Sequence, residues 1–150
     1  MAEPASTIHA SAVLIGAKAV LIRGPAGSGK SRLVLDVLQA CAQGALPFAR
    51  LIADDRAYVE ASGGRLLVRP PQKLAGLIEV RGIGIRRLPY EPVAVVALVV
   101  DLAERGQRLP EPPEAEAVIA GVRLPRLCIP TESDPLPVLL AYFGTWPAGI

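Results

Sequence analysis

The chain has 150 residues, half of them apolar, and a net charge of +2 with acidic and basic residues interspersed. This length and composition predict one folded domain. So small a charge, with only 4% aromatic residues, favours neither nucleic acid nor a membrane surface as a partner. The most apolar run, residues 93–100, is too short to cross a bilayer, and the first ten residues lack a secretory signal. Two distant cysteines predict no disulfide framework and indicate a reducing cytoplasm.

The first half of the chain predicts strands around one helix. Residues 13–15 and 19–23 are apolar runs on either side of a GAK turn, which is typical of a hairpin. A helix is predicted from Lys30, with its apolar residues at helical spacing and its end before Gly44 and Pro47. Residues 49–55, ARLIADD, predict a short strand that ends in two acids. Residues 57–61 and 65–70 surround a glycine pair and predict a second hairpin.

The second half predicts further strands and a closing helix. After a turn and a short helix or loop, a strand is predicted at residues 77–80, where Gly82 and Gly84 interrupt it. A buried strand at 93–102, a proline-rich solvent loop at 109–116 and one or two strands within 117–130 follow. A helix is predicted at 134–143, capped by Asp134. The sequence therefore predicts a single α/β domain over residues 1–150, with more strands than helices.

A phosphate-binding loop is the strongest signal in the sequence. GPAGSGKS has every fixed position of G-x-x-x-x-G-K-[ST], between an apolar strand and an amphipathic helix. In such a loop the backbone N–H groups turn toward phosphate oxygens and the helix N-terminus adds its dipole. Lys30 is expected on the β- and γ-phosphates and Ser31 on Mg²⁺. The predicted nucleotide-binding residues are Gly24, Pro25, Ala26, Gly27, Ser28, Gly29, Lys30 and Ser31.

Asp54 and Asp55 are the acidic candidates for phosphoryl transfer, because they end an apolar strand. Adjacent strand residues point to opposite faces, so both can serve one site only if the strand ends there. A plain acidic turn explains the pair about as well when it is considered without the upstream loop. His9, the only histidine, precedes the first hairpin.

The stretch LIEVRGIGIRR, together with GPAGSGKS and ADD in the same order, resembles the HPr kinase/phosphorylase family. These bacterial enzymes phosphorylate a serine of the phosphocarrier protein HPr. The resemblance implies a P-loop-containing kinase domain with a mixed, strand-rich sheet. It also implies a short form of the alphaproteobacterial type, in which the catalytic domain stands without the family's N-terminal domain.

The resemblance also implies roles for particular residues. ATP would lie on the loop at 24–31, and Mg²⁺ on Ser31, Asp55 and Glu79. Asp55 would take the proton of the acceptor serine and return one in dephosphorylation, with Asp54 assisting and His9 beside them. Arg108 would neutralise charge on the transferring phosphate. The family forms hexamers, so a homo-oligomer is implied.

Several positions depart from the family pattern. Ala26 replaces a serine of the phosphate loop, and the stretch after Arg87 is shorter than the family's loop over the active site. Glu132 and Asp134 stand where the family has a basic segment linked to the phosphorylase direction. The alternative function is therefore a nucleotide-sensing regulatory module with reduced or lost catalysis. A small-molecule kinase ranks last, because such kinases usually carry an arginine-bearing lid and the sequence offers none.

Overall fold

A mixed sheet of nine strands forms the body of the structure, a computed structural model that describes residues 6–103 and 115–146. Its strands are β1 (Ser6–Ile8), β2 (Ala10–Ile15), β3 (Lys18–Arg23), β4 (Ala49–Ala53), β5 (Ala57–Ser62), β6 (Arg65–Arg69), β9 (Ala94–Ala103), β10 (Glu116–Ile119) and β11 (Val122–Pro130). A separate antiparallel hairpin consists of β7 (Leu77–Val80) and β8 (Gly84–Arg87). The two helices are α1 (Lys30–Ala42) and α2 (Pro135–Gly144), and a 3₁₀ turn spans Gln72–Leu74.

The long strand β9 lies at the centre of the sheet. It pairs in parallel with β3 on one side, and on the other with β6 in antiparallel and β11 in parallel orientation. Beyond β3 lie β2 and then β4, each antiparallel to its neighbour. Because two reversals restore the direction, β3 and β4 both end at the same edge of the sheet. This edge receives the phosphate loop and the two aspartates.

Two hydrophobic clusters hold the sheet from its two faces. On one face α1 and α2 pack on the sheet, with Leu33, Val34 and Leu139 almost fully buried. On the other face the curled strands β5, β6 and β10 cover the sheet through buried residues such as Leu66 and Ala117. Alternation along the strands sends successive side chains into the two clusters. The strands that carry the phosphate loop are therefore packed on both faces of the sheet.

The predicted α/β class and strand-rich sheet are confirmed, as are both predicted hairpins, the helix after the phosphate loop and the closing helix. Asp134 caps α2 as predicted, since its Oδ1 accepts a hydrogen bond from the Leu136 N–H at 3.1 Å. Most of the predicted loop at 109–116 lies outside the described residues. Within the described ranges, no helix has the length and apolar character that a membrane span requires.

Candidate active site

The phosphate loop joins the end of β3 to the start of α1. Gly27 and Gly29 adopt φ angles of 78° and 100°, the left-handed region where a side chain would strain the backbone. Lys30 is buried, and its Nζ donates to the carbonyl oxygens of Gly24 at 2.8 Å and Pro25 at 3.2 Å. The ammonium group of Lys30 is therefore held inside the loop by the backbone carbonyls of the loop.

Asp54 joins three elements of the site. Its Oδ1 accepts hydrogen bonds from the hydroxyls of Ser31 at 2.6 Å and Ser11 at 2.9 Å. Its Oδ2 accepts from the backbone N–H of Glu79 at 3.2 Å. One carboxylate thus links the first turn of α1, strand β2 and the β7–β8 hairpin. Such a carboxylate beside the loop serine is the arrangement a Mg²⁺–triphosphate needs, because Mg²⁺ usually takes one or two carboxylates plus phosphate oxygens and water.

Asp55 faces a different partner. Its Oδ1 lies 2.5 Å from Nε2 of His9, which occupies the one-residue break between β1 and β2. Asp55 has a φ of 66°, which is uncommon for a residue with a side chain and costs conformational energy. The backbone N–H of Asp55 donates to the Ser11 hydroxyl at 3.0 Å, and this bond holds the turn. The side chains of His9 and Asp55 are 43% and 60% exposed, so the pair is open to solvent.

The structure brings most of the predicted site residues together and gives the two aspartates different partners. The resemblance implied Asp55 beside Ser31 on the metal, whereas the structure places Asp54 on the Ser31 hydroxyl and Asp55 on His9. Glu79 reaches the site through its backbone N–H, and its side chain is exposed. Arg108 lies outside the described residues. Among the described residues no cluster of three or more His, Cys, Asp or Glu side chains forms a metal site of its own.

Ser11 is a residue of the candidate site that the sequence reasoning missed. It is fully buried, and its hydroxyl donates to Asp54 while it accepts from the Asp55 backbone. The available signal was a single hydroxyl in the apolar run of β2, two residues from His9 and so on the same face of the extended chain. Ser11 fixes the positions of both aspartates.

An ion-pair cluster secures the strand ends below the loop. Asp101 on β9 accepts from Arg23 Nε at 2.7 Å and Nη2 at 2.8 Å, and from Arg126 Nε on β11. Burial alone would raise the pKa of Asp101, but the hydrogen bonds and charges of the two arginines hold that pKa below its ordinary value. Arg23 immediately precedes Gly24. The cluster therefore anchors the stem of the phosphate loop to β9 and β11.

The fold and this site define an α/β protein with a phosphate-binding loop. Comparison with known proteins then gives the family: the model of the HPr Serine kinase C-terminal domain matches residues 1–89. The chain belongs to that family.

Two curated relatives and one solved structure illustrate the similarity. The chain is 33% identical over 82 residues to the HPr kinase/phosphorylase of Clostridium beijerinckii, covering 55% of this chain and 25% of that protein. It is 41% identical over 83 residues to the HPr kinase/phosphorylase of Limosilactobacillus reuteri, covering 55% and 24%. It spans only about a quarter of the length of these relatives.

The structure is similar over almost its whole length to the Hpr(Ser) kinase/phosphatase from Coxiella burnetii. The TM-score is 0.73 at 26% sequence identity, and the match covers 90% of this chain and 91% of the other. This match confirms the fold that the family resemblance implied.

Proposed function

We propose that this chain is an ATP- and Mg²⁺-dependent protein serine kinase whose acceptor is HPr. The observation that carries the proposal is the exposed His9–Asp55 pair beside the half-buried Ser31–Asp54 contact. In this proposal the triphosphate would lie next to the group that accepts the proton, because Ser11 bonds both Asp54 and the Asp55 backbone. The names of the relatives support HPr as the acceptor.

Two features of the phosphate loop support a triphosphate as its ligand. A Cβ added at Gly24 would lie 2.5 Å from Ser28 Oγ and 3.1 Å from Leu102 Cβ, so a larger residue at the loop stem would displace Ser28 and crowd β9. Lys30 has three donors, two of which now bond loop carbonyls that it can exchange for phosphate oxygens. Its burial removes competing water, which strengthens a bond to an anion.

Ser31, Asp54 and Glu79 are the residues that would hold Mg²⁺. The Ser31 hydroxyl and the Glu79 backbone N–H both donate to Asp54, so residue 79 lies next to this carboxylate, and its own carboxylate is exposed. Hydroxyl and carboxylate oxygens suit this hard cation. When bound, Mg²⁺ offsets the negative charge of the triphosphate. We assign Asp54 rather than Asp55 to this position because the Ser31 hydroxyl already donates to Asp54.

Asp55 would accept the proton of the acceptor serine. A serine hydroxyl is a weak nucleophile until a nearby base takes its proton. His9 binds Oδ1 of Asp55, and within the described part of the chain no hydrogen bond to Oδ2 is found. Oδ2 is thus the oxygen that can meet the incoming hydroxyl. The left-handed backbone of Asp55 directs the carboxylate to His9 while Asp54 stays on Ser31.

We expect phosphorylation to be the main direction. The resemblance associates a basic segment with dephosphorylation, and Glu132 and Asp134 stand there in this chain. Asp134 is also committed to capping α2. Arg108 would neutralise charge on the transferring phosphate. The free thiols of Cys41 and Cys128 suit a cytoplasmic setting, where HPr and ATP would be met.

We also propose that the protein is a homo-oligomer, a hexamer by family resemblance. Val138 and Tyr142 lie four residues apart on one face of α2, and Trp146 follows the end of the helix. Their exposed fractions are 43%, 40% and 86%, although the opposite face of α2 is already packed on the sheet. An apolar stripe of this kind is typical of a surface covered by a protein partner.

The test is incubation of the purified chain with γ-labelled ATP, Mg²⁺ and HPr, followed by location of the label. The proposal predicts label on a serine of HPr. ATP binding without labelled HPr would contradict it and favour the nucleotide-sensing module.

A further inference from the structure

The side chain of Ser28 contains a buried polar atom of the phosphate loop that lacks a hydrogen-bond partner. Its Oγ is buried and has no hydrogen-bond partner among the described residues. The backbone N–H of Ser28, by contrast, donates to the Pro25 carbonyl at 3.0 Å. A buried hydroxyl without a partner destabilises the folded state, because it gives up its bonds to water and receives none in return. Such a group in a ligand-binding loop requires a physical explanation.

The location of this hydroxyl connects it to the loop's other donor. Ser28 Oγ lies against Gly24, where an added Cβ would come within 2.5 Å of it. The carbonyl of the same Gly24 accepts from Lys30 Nζ at 2.8 Å. Lys30 bonds the Gly24 and Pro25 carbonyls, whereas the Ser28 hydroxyl bonds neither of them nor any other described group. Lys30 Nζ and Ser28 Oγ therefore both lie next to Gly24, but only Lys30 Nζ forms hydrogen bonds there.

We propose that the Ser28 hydroxyl is a polyphosphate-dependent donor, which gains its partner only when a triphosphate occupies the loop. Lys30 then exchanges the loop carbonyls for phosphate oxygens, and the hydroxyl bonds either a phosphate oxygen or a carbonyl that Lys30 has released. The empty loop is less stable than it could be, and part of the binding free energy comes from relieving this defect. Ser28 is accordingly a residue that sets polyphosphate affinity. The inference rests on the proposed function, since it assumes that the loop binds a triphosphate.

Ser28→Ala tests the inference, because it removes only the hydroxyl and leaves the backbone bond to Pro25. Two quantities are measured on the full chain: the Tm without ligand, and the Kd for Mg²⁺–ATP and for tripolyphosphate by calorimetry. Tripolyphosphate has no base or ribose, so it reports on the loop alone. Ser62→Ala, an exposed serine at the end of β5, is the matched control.

The proposal predicts opposite changes in the two quantities. Ser28→Ala raises the unliganded Tm by about 2–4 °C, because the buried hydroxyl is gone. It weakens both ligands by about tenfold, because a donor used in the bound state is gone. Ser62→Ala changes neither quantity.

A higher Tm with unchanged or tighter binding would overturn the proposal, since the hydroxyl would then lack a partner in both states. Weaker binding without a higher Tm would also overturn it, since the hydroxyl would already be satisfied in the empty loop. If the wild-type chain binds neither ligand, the proposed function fails and this inference fails with it. The wild-type titration therefore separates the two failures.

Discussion

His9 Nε2 lies 2.5 Å from Asp55 Oδ1, although the two residues are 46 positions apart in the sequence. The contact joins the break between β1 and β2 to the turn that follows β4. Ser11 and Asp54 complete the same cluster, and Ser31 connects it to the phosphate loop. These hydrogen bonds therefore connect His9, through both aspartates, to the phosphate loop.

Lys30→Ala is expected to weaken ATP binding about 10- to 100-fold, the cost of losing charge-assisted hydrogen bonds to the triphosphate. AMP binding should change much less, because the lysine is expected on the β- and γ-phosphates. Calorimetric titration with the two nucleotides makes the comparison, with Lys18→Ala on the exposed start of β3 as the control. Equal affinity of wild type and Lys30→Ala for ATP would contradict the assignment of the loop.

Ser11→Ala should lower kcat and leave the KM for ATP within a few-fold. The change removes one bond to Asp54 and one to the Asp55 backbone, so both carboxylates lose their fixed positions. Loss of these buried bonds should also lower the free energy of unfolding by about 1–3 kcal/mol. Steady-state kinetics and urea denaturation give the two values, with Ser133→Ala as the control. A loss of stability with kcat unchanged would show that Ser11 is structural only.

The sequence predicted the elements that carry the site residues and their order along the chain. It did not predict which hydrogen-bond partner each aspartate has. Local patterns predicted the hairpin before the loop, helix α1, the strand that leads into Asp54 and Asp55, and the cap at Asp134. Because β4 ends at Ala53, both aspartates stay at one edge, as the sequence reasoning required. Which carboxylate meets Ser31 depends on the left-handed φ of Asp55, a single-residue conformation that no periodicity reports.

Contacts between residues on strands that are distant in the sequence could not be predicted either. Arg23, Asp101 and Arg126 meet only because β9 lies between β3 and β11, and hydrophobic periodicity does not specify strand order. Ser11 was missed for the same reason, since its partners lie 43 and 44 positions away.

Asp101→Asn should destabilise the protein in a pH-dependent way. The folded pKa of Asp101 lies below its unfolded value of ~3.9, so its ionised form stabilises the fold above that pH. This contribution is lost as the pH falls through the folded pKa. At neutral pH we expect a loss of about 2–3 kcal/mol in the free energy of unfolding, because two arginines lose their charge-assisted bonds.

The measurement for Asp101 is urea denaturation at neutral and at acid pH. The difference between wild type and Asp101→Asn should shrink as the solution becomes more acid. Glu60→Gln, which removes a carboxylate paired with Arg69 at a half-exposed site, is the control and should cost less than about 1 kcal/mol. A difference that is the same at both pH values would contradict the role of Asp101 ionisation.

The double variant Tyr142→Ser and Trp146→Ser should weaken self-association at least tenfold, because it removes two aromatic side chains from the exposed stripe. Sedimentation velocity over a range of concentrations measures the effect. Val118→Ser, at a 64% exposed apolar position on β10, is the control. A monomeric wild type, or an assembly unaffected by the double variant, would contradict the oligomer proposal.

The central claim is that Asp55, held by His9, accepts the proton of the substrate serine while Asp54 serves the metal. The most direct test is transfer of label from γ-labelled ATP to HPr by wild type and by Asp55→Asn, with ATP affinity measured on the same preparations. Asp36→Asn on α1 makes the same chemical change outside the site. The account predicts a loss of at least 100-fold in transfer for Asp55→Asn with ATP affinity kept, the scale of losing a general base. Equal loss of transfer and ATP affinity, or transfer at the wild-type rate, would contradict it.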